Sequence, residues 1–141
     1  MKSGFGPTAT VSRLTDRDLE LIRSLDPDDI ESVVASLAPD CVYHEDPTWL
    51  DGRVFHGRDE IEAIIREYRD IWGTRMQDVE RVERVGAAIV ATLQHQGVTP
   101  RGEMPVEQVW TYVFRVRDGQ IAEMWAFADP DDARRKAAAV T

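Results

Sequence analysis

The sequence predicts an α+β fold, with helices gathered in the first half of the chain and long antiparallel strands in the second. Three observations carry this. Ile61, Ile64, Ile65, Tyr68, Ile71 and Trp72 recur at helical spacing. Residues 106–116 alternate instead, with Trp110, Tyr112, Phe114 and Val116 on one face and Val109, Thr111, Val113 and Arg115 on the other. Asp118-Gly119 then forms a two-residue hairpin signal before a returning strand, Ile121 to Phe127. Helices and strands segregated in this way indicate α+β rather than alternating α/β.

Taken in order, residues 1–13 read as a flexible arm rich in Gly, Pro, Ser and Thr, and residues 14–141 as one domain. Thr15 and Asp18 have capping-box spacing, opening a helix to about Leu25 with Leu19 and Ile22 on its apolar face. Asp26-Pro27-Asp28-Asp29 starts a second helix with a cap, a proline at the first helical position and acids in the first turn. Ile30, Val33, Val34 and Leu37 form its apolar face, and Pro39 ends it. Cys41 to Asp46 is a short strand stopped by Pro47; Thr48 to Phe55 is a loop. The third helix opens at Gly57 and stops at Gly73. In Met76 to Val85 the apolar residues recur every third position; glycines on both sides favour a solvated strand. Ala87 to Gln96 is a strand with Ile89, Ala91 and Leu93 on one face, and Val98 to Pro105 a loop. On the returning strand the alternation groups Ile121, Trp125 and Phe127. Asp129-Pro130-Asp131-Asp132 starts a short last helix.

Composition bounds the function. The chain has 141 residues, enough for a sizeable core, and 43% hydrophobic content. A formal net charge of −9, with no basic cluster beyond Arg134-Arg135-Lys136, argues against a nucleic-acid partner. One cysteine, Cys41, excludes an internal disulfide and reads as a small buried hydrophobe. No segment suits a signal peptide or a membrane span, so the expected location is cytoplasmic.

The chemistry centres on Cys41-Val42-Tyr43-His44-Glu45-Asp46-Pro47. His44 and Asp46 lie two apart and share a strand face with Val42. An imidazole beside a carboxylate at the mouth of an apolar fold supports acid–base chemistry without a cofactor, or forms a hydrogen-bonded structural pair. His-x-Asp lacks a third ligand at metal spacing, so no metal is expected. Trp110, Tyr112, Phe114, Trp125 and Phe127 offer a bulky aromatic surface that packs as core or lines a pocket for a flat, apolar, partly oxygenated ligand. Trp49 follows Asp46 as a lid or a surface tryptophan. His95 reads as a solvent-facing hairpin end, His56 as local, and Asp129 as a helix cap.

The element order and three motifs resemble the nuclear transport factor 2-like superfamily, and in particular its SnoaL-like polyketide-cyclase and ketosteroid-isomerase branches. The motifs are Ala38 to Tyr43 with Glu45-Asp46-Pro47, Phe55 to Ile61, and Val116 to Ile121; the resemblance spans Leu14 to Ala138. It implies a cone: a curved, mainly antiparallel mixed sheet packed against three helices from the N-terminal half, with a pocket between them. The fold hosts isomerases, cyclases, hydrolases, dehydratases and non-catalytic domains. By position, Asp46 falls where steroid isomerases place their base. Their tyrosine donor would fall at Ile22 and their protonated acid near Tyr112, so Tyr112 is the substitute donor here. The Asp-Arg-Asp set of the family's epoxide hydrolases is not seen, since Arg115 lies on the face opposite Tyr112.

The resulting expectation is a cofactor-independent isomerase, cyclase or dehydratase acting on a small apolar carbonyl compound. Asp46 is the base, with His44 tuning it and Tyr112 donating to the oxyanion. Val42, Trp49, Trp110, Phe114, Trp125 and Phe127 are the substrate-binding set. The alternative is a non-catalytic binding or assembly domain. Because the strand around Val109 to Val113 is apolar on both faces, its outer face, Val109, Thr111 and Val113, is expected to be buried in a homodimer.

Overall fold

Thr15 caps the first helix, α1 (Asp16–Arg23), through the reciprocal capping box: its hydroxyl accepts from Asp18 N at 3.2 Å while Thr15 N donates to Asp18 at 2.9 Å. The computed structural model describes residues 14–48, 51–72, 74–98 and 105–141; the expected arm and Trp49 lie outside them. The second helix, α2 (Ile30–Ala35), starts later than expected. Asp26 accepts from Asp28 N in a tight turn that includes Pro27, and the cap is Asp29, which accepts from Ser32 N. The helix also ends earlier. Leu37 and Pro39 belong to strand β1 (Leu37–His44), not to the helix face and its stop. Leu37 is nonetheless fully buried.

The loop after β1 holds a short strand, β2 (Val54–His56), which pairs antiparallel with β1. Helix α3 (Gly57–Trp72) follows, burying Ile61 and Ile64, while Ile71 is 55% exposed and leaves the expected apolar face. Strands β3 (Thr74–Val85), β4 (Ala88–Val98), β5 (Pro105–Arg117) and β6 (Gln120–Phe127) form the meander, and α4 (Pro130–Ala139) ends it, capped by Asp129. The Asp118-Gly119 turn has positive φ at both residues, 54° and 74°, as the primed hairpin turn requires.

The sheet is curved and six-stranded, in the order β2-β1-β6-β5-β4-β3. β1 pairs parallel with β6, which adds the first-half strand to the β6 edge of the meander. Two β-bulges explain patterns that a strict period of two cannot. In β3 the register shifts between Val79 and Arg81, so Val79 opposite Leu93 and Val82 opposite Ala91 face the same core despite being three apart. In β6 the shift puts Ile121 opposite Val116 and Glu123 opposite Arg115, leaving Ala122 as the extra residue. Ile121 therefore joins Met124 and Ala126 in the main core, while Trp125 and Phe127 face the other way. The expected grouping of Ile121 with Trp125 and Phe127 is corrected by that single residue.

The concave side carries the main core: Ile22, Leu37, Tyr43, Ile61, Ile64, Ile89, Leu93, Tyr112 and Phe114 beneath α1 and α3. The outer side has its own core, in which Ala133 and Ala137 of α4 cover Val90, Val113 and Trp125. The chain thus supplies for Val113 the cover that was expected from a second copy. Val113 is fully buried and Thr111 nearly so, while Val109 remains 52% exposed. The burial of Val113 gives no argument for a homodimer. Among the described residues, no helix is long and apolar enough to cross a membrane.

Candidate functional site

A cavity opens between the concave sheet and the helices. It encloses about 100 Å³ open to the centre of a water-sized sphere. Since roughly 10–15 Å³ of such space admits one water, this is room for several waters or a small organic molecule. The sheet contributes Tyr43 from β1, Ile121 and Met124 from β6, Tyr112 and Phe114 from β5, and Leu93 and His95 from β4. Leu25, Pro27, Val33, Ile61, Ile65, Tyr68 and Arg69 close it from the helical side.

Strand parity decides what reaches this space. Cys41 and Tyr43 point to the concave core, so Val42 and His44 point outward. There His44 pairs across the parallel ladder with Trp125, and their rings stack at 5.1 Å. Its Nε2 lies 2.6 Å from Glu123 Oε2, and Arg115 holds the other oxygen at 3.3 Å. The expected sharing of one face by Val42 and His44 holds, but that face is the outer one.

Asp46 lies just beyond the strand, 1% exposed. One carboxylate oxygen accepts from Thr48 N at 2.9 Å and Thr48 Oγ1 at 2.7 Å; the other accepts from Ala128 N at 2.9 Å. It ties the turn after β1 to the end of β6. Neither His44 nor Asp46 lines the cavity. Of the expected site residues, Tyr112 and Phe114 do. Trp110 is buried in the same core, where its Nε1 donates to Gln108 at 3.1 Å, but it does not line the cavity. Trp125 and Phe127 belong to the outer core under α4.

Among the described residues, the polar groups that reach the cavity are three phenols, one imidazole and Arg69. Arg69 is already engaged: it donates to the carbonyls of Asp28 and Pro27 at 3.1 and 3.4 Å, with the Asp28 carboxylate 3.7 Å away. Tyr68 donates a short hydrogen bond to Glu45, whose side chain is fully buried. Arg53 grips the same carboxylate in a fork, Nε at 3.0 Å and Nη2 at 2.9 Å, and adds its backbone N–H at 3.1 Å. Burial opposes the charge on Glu45, but the hydrogen bonds from Arg53 and Tyr68 outweigh it and hold the carboxyl below its ordinary range. Burial raises all three phenols well above the ordinary tyrosine value, so each keeps its proton.

His95 is the group that sequence reasoning placed in solvent. It continues the alternation of Ile89, Ala91 and Leu93 into the cavity. Its Nε2 is buried without a hydrogen-bond partner, and burial lowers its pKa to about 4, so the ring is neutral near pH 7. The unbroken period-two pattern was the signal for it. Glu45 carried no comparable signal, since its burial depends on α3 crossing over β1.

The sequence family described as the SnoaL-like domain matches residues 19–124 of this chain. The chain belongs to the SnoaL-like family. Solved structures, among them nuclear transport factor 2-like proteins, share its fold. A nuclear transport factor 2-like protein of unknown function from Burkholderia pseudomallei K96243 superposes with TM-score 0.66 at 20% identity, over 86% of this chain and 97% of its own. TerC, co-crystallised with polyporic acid, gives 0.66 at 17% identity over 88% and 99%. A putative SnoaL-like polyketide cyclase from Mesorhizobium loti gives 0.64 at 15% identity over 81% and 99%. These likenesses establish the shared fold. Among curated proteins, none matches this chain.

Proposed function

We propose that this SnoaL-like domain binds a small neutral organic molecule in the concave cavity and moves a proton on it, as a cofactor-independent isomerase, cyclase or dehydratase. The observation that carries the reading is His95: a neutral imidazole with a buried, unpartnered Nε2 in a cavity otherwise walled mainly by apolar side chains. An unsatisfied buried polar atom costs roughly 1–3 kcal/mol, and a ligand atom would remove that cost. The charges at the wall are already compensated, Arg69 by Asp28 and the Asp28 and Pro27 carbonyls, and Glu45 by Arg53 behind Tyr68. Among the described residues a net charge on the ligand would find no free partner there, so a neutral one is favoured. TerC, a protein of the same fold, was co-crystallised with polyporic acid, which supports a small-molecule role for such a pocket.

In this reading Tyr112, fully protonated, donates to an oxygen that gains charge, and His95 exchanges a proton with the adjacent carbon. The proton leaves carbon for Nε2 and returns to carbon or oxygen from the same nitrogen, so no oxidant or reductant enters. The test is hydrogen–deuterium exchange beside the carbonyl of 2-tetralone in D₂O, followed by NMR. Wild type should exceed the buffer rate, and His95→Phe should return to it while remaining folded. Binding of 2-tetralone without faster exchange would make the domain a binding module.

A further inference from the structure

Glu45 ties one residue of the cavity wall to the connection between β1 and β2. Its carboxylate is fully buried, and each oxygen accepts two hydrogen bonds. Oε1 accepts from Arg53 N and Nε, and Oε2 from Arg53 Nη2 and the Tyr68 hydroxyl. The backbone reinforces the pair, Glu45 N donating to the Arg53 carbonyl at 2.9 Å. Arg53 reaches α3 a second time at Glu67, 3.8 Å away. Tyr68 lines the cavity from α3 beside Ile61 and Ile65. Ile61 is fully buried and packing fixes it. Tyr68 is only partly buried, so its bond to Glu45 selects among the staggered positions that packing leaves open. A phenylalanine would line the cavity without taking a carboxylate out of water, which is costly. The arrangement therefore does more than fill space: it sets where Tyr68 stands.

We infer that Tyr68 is a specificity-determining wall of the cavity, held in one position by Glu45 and Arg53, and that it limits the size of the neutral ligand the cavity accepts. The inference deepens the proposed small-molecule role and rests on it. Glu45 and Arg53 are positioning residues; neither lines the cavity, and both act through Tyr68. Hydrogen bonds to a buried carboxylate are charge-assisted and hold firmly. A ligand large enough to push Tyr68 aside must break one, leaving Glu45 Oε2 with Arg53 Nη2 alone. A ligand that fits beside Tyr68 breaks nothing. Cutting the tether while keeping the ring should therefore relax the selection by size.

The test compares cyclohexanone with 2-tetralone, the same cyclic ketone carrying a fused benzene ring, titrated into the full-length protein and followed by NMR chemical shifts. Only the change in the ratio of their dissociation constants is read, which cancels their different hydration. Tyr68→Phe keeps the ring and removes the tether. The ratio should move toward 2-tetralone by about three- to tenfold, the range of one net hydrogen bond. Glu45→Gln is the conservative rescue: its carboxamide oxygen stays with Arg53, and its NH₂ donates to the Tyr68 hydroxyl oxygen. The tether survives with its direction reversed, and the ratio should stay at the wild-type value. An unchanged ratio in a folded Tyr68→Phe that binds both ketones overturns the inference and leaves the cavity reading intact. So does an equal shift in Glu45→Gln, which would make the buried charge, not the tether, responsible. If neither ketone binds wild type, the cavity reading fails and the inference falls with it. A measurement on unliganded wild type keeps the test decisive if a variant does not fold. Three-bond couplings of Tyr68 should report a single staggered χ1, and rotamer-averaged couplings overturn the inference.

Discussion

His44 lies flat against Trp125, ring centroids 5.1 Å apart and planes within 8°, on the side of the sheet opposite the cavity. Trp125 is itself packed beneath α4, with Lys136 Nζ 5.5 Å from its ring. His44→Ala should therefore cost about 1–2 kcal/mol, from the lost stacking and the lost bond to Glu123. The cost stays moderate because Arg115 keeps Glu123 paired. Urea unfolding measures it, and cavity binding should not change. Unaltered stability with lost binding would return His44 to the site.

Asp46→Asn should destabilise the protein by about 2 kcal/mol, read as a lower urea midpoint at constant slope. Each carboxylate oxygen accepts from a backbone N–H, one from Thr48 and one from Ala128. Whichever way the carboxamide turns, its NH₂ faces one of those donors. The outcome separates a turn anchor from a desolvated catalytic base, whose replacement by Asn commonly leaves stability unchanged or raised.

The pH dependence of stability should carry a His95 component. Its folded pKa of about 4 lies below the ordinary 6.5, so the unfolded chain binds the proton more readily. This component is fully present above pH 6.5. It is lost as pH falls toward 4, with a slope of at most about 1.4 kcal/mol per pH unit. The depressed Glu45 carboxyl adds its own loss only below its ordinary 4.5, so the window between pH 5 and 6.5 isolates His95 from it. Denaturant midpoints across that window should fall more steeply in wild type than in His95→Phe. Parallel profiles would mean that His95 titrates normally.

The α+β class, the helix caps at Thr15 and Asp129, the Asp118-Gly119 hairpin and the common face of Trp110, Tyr112 and Phe114 were legible in the sequence. Each follows from interactions within a few residues, or from a periodicity the chain carries locally. The sequence also paired Val42 with His44 correctly. Which face met the cavity was settled by long-range packing, because parity states which residues go together and not what covers them. The parallel pairing of β1 with β6 set His44 beside Trp125, and α4 then covered that side from the far end of the chain. One extra residue, Ala122, moved Ile121 to the opposite face from the one its spacing implied. Glu45, Arg53 and Tyr68 became a unit only when α3 crossed the turn after β1. The β4 alternation already pointed at His95, but its burial was decided by the helices that roof the sheet.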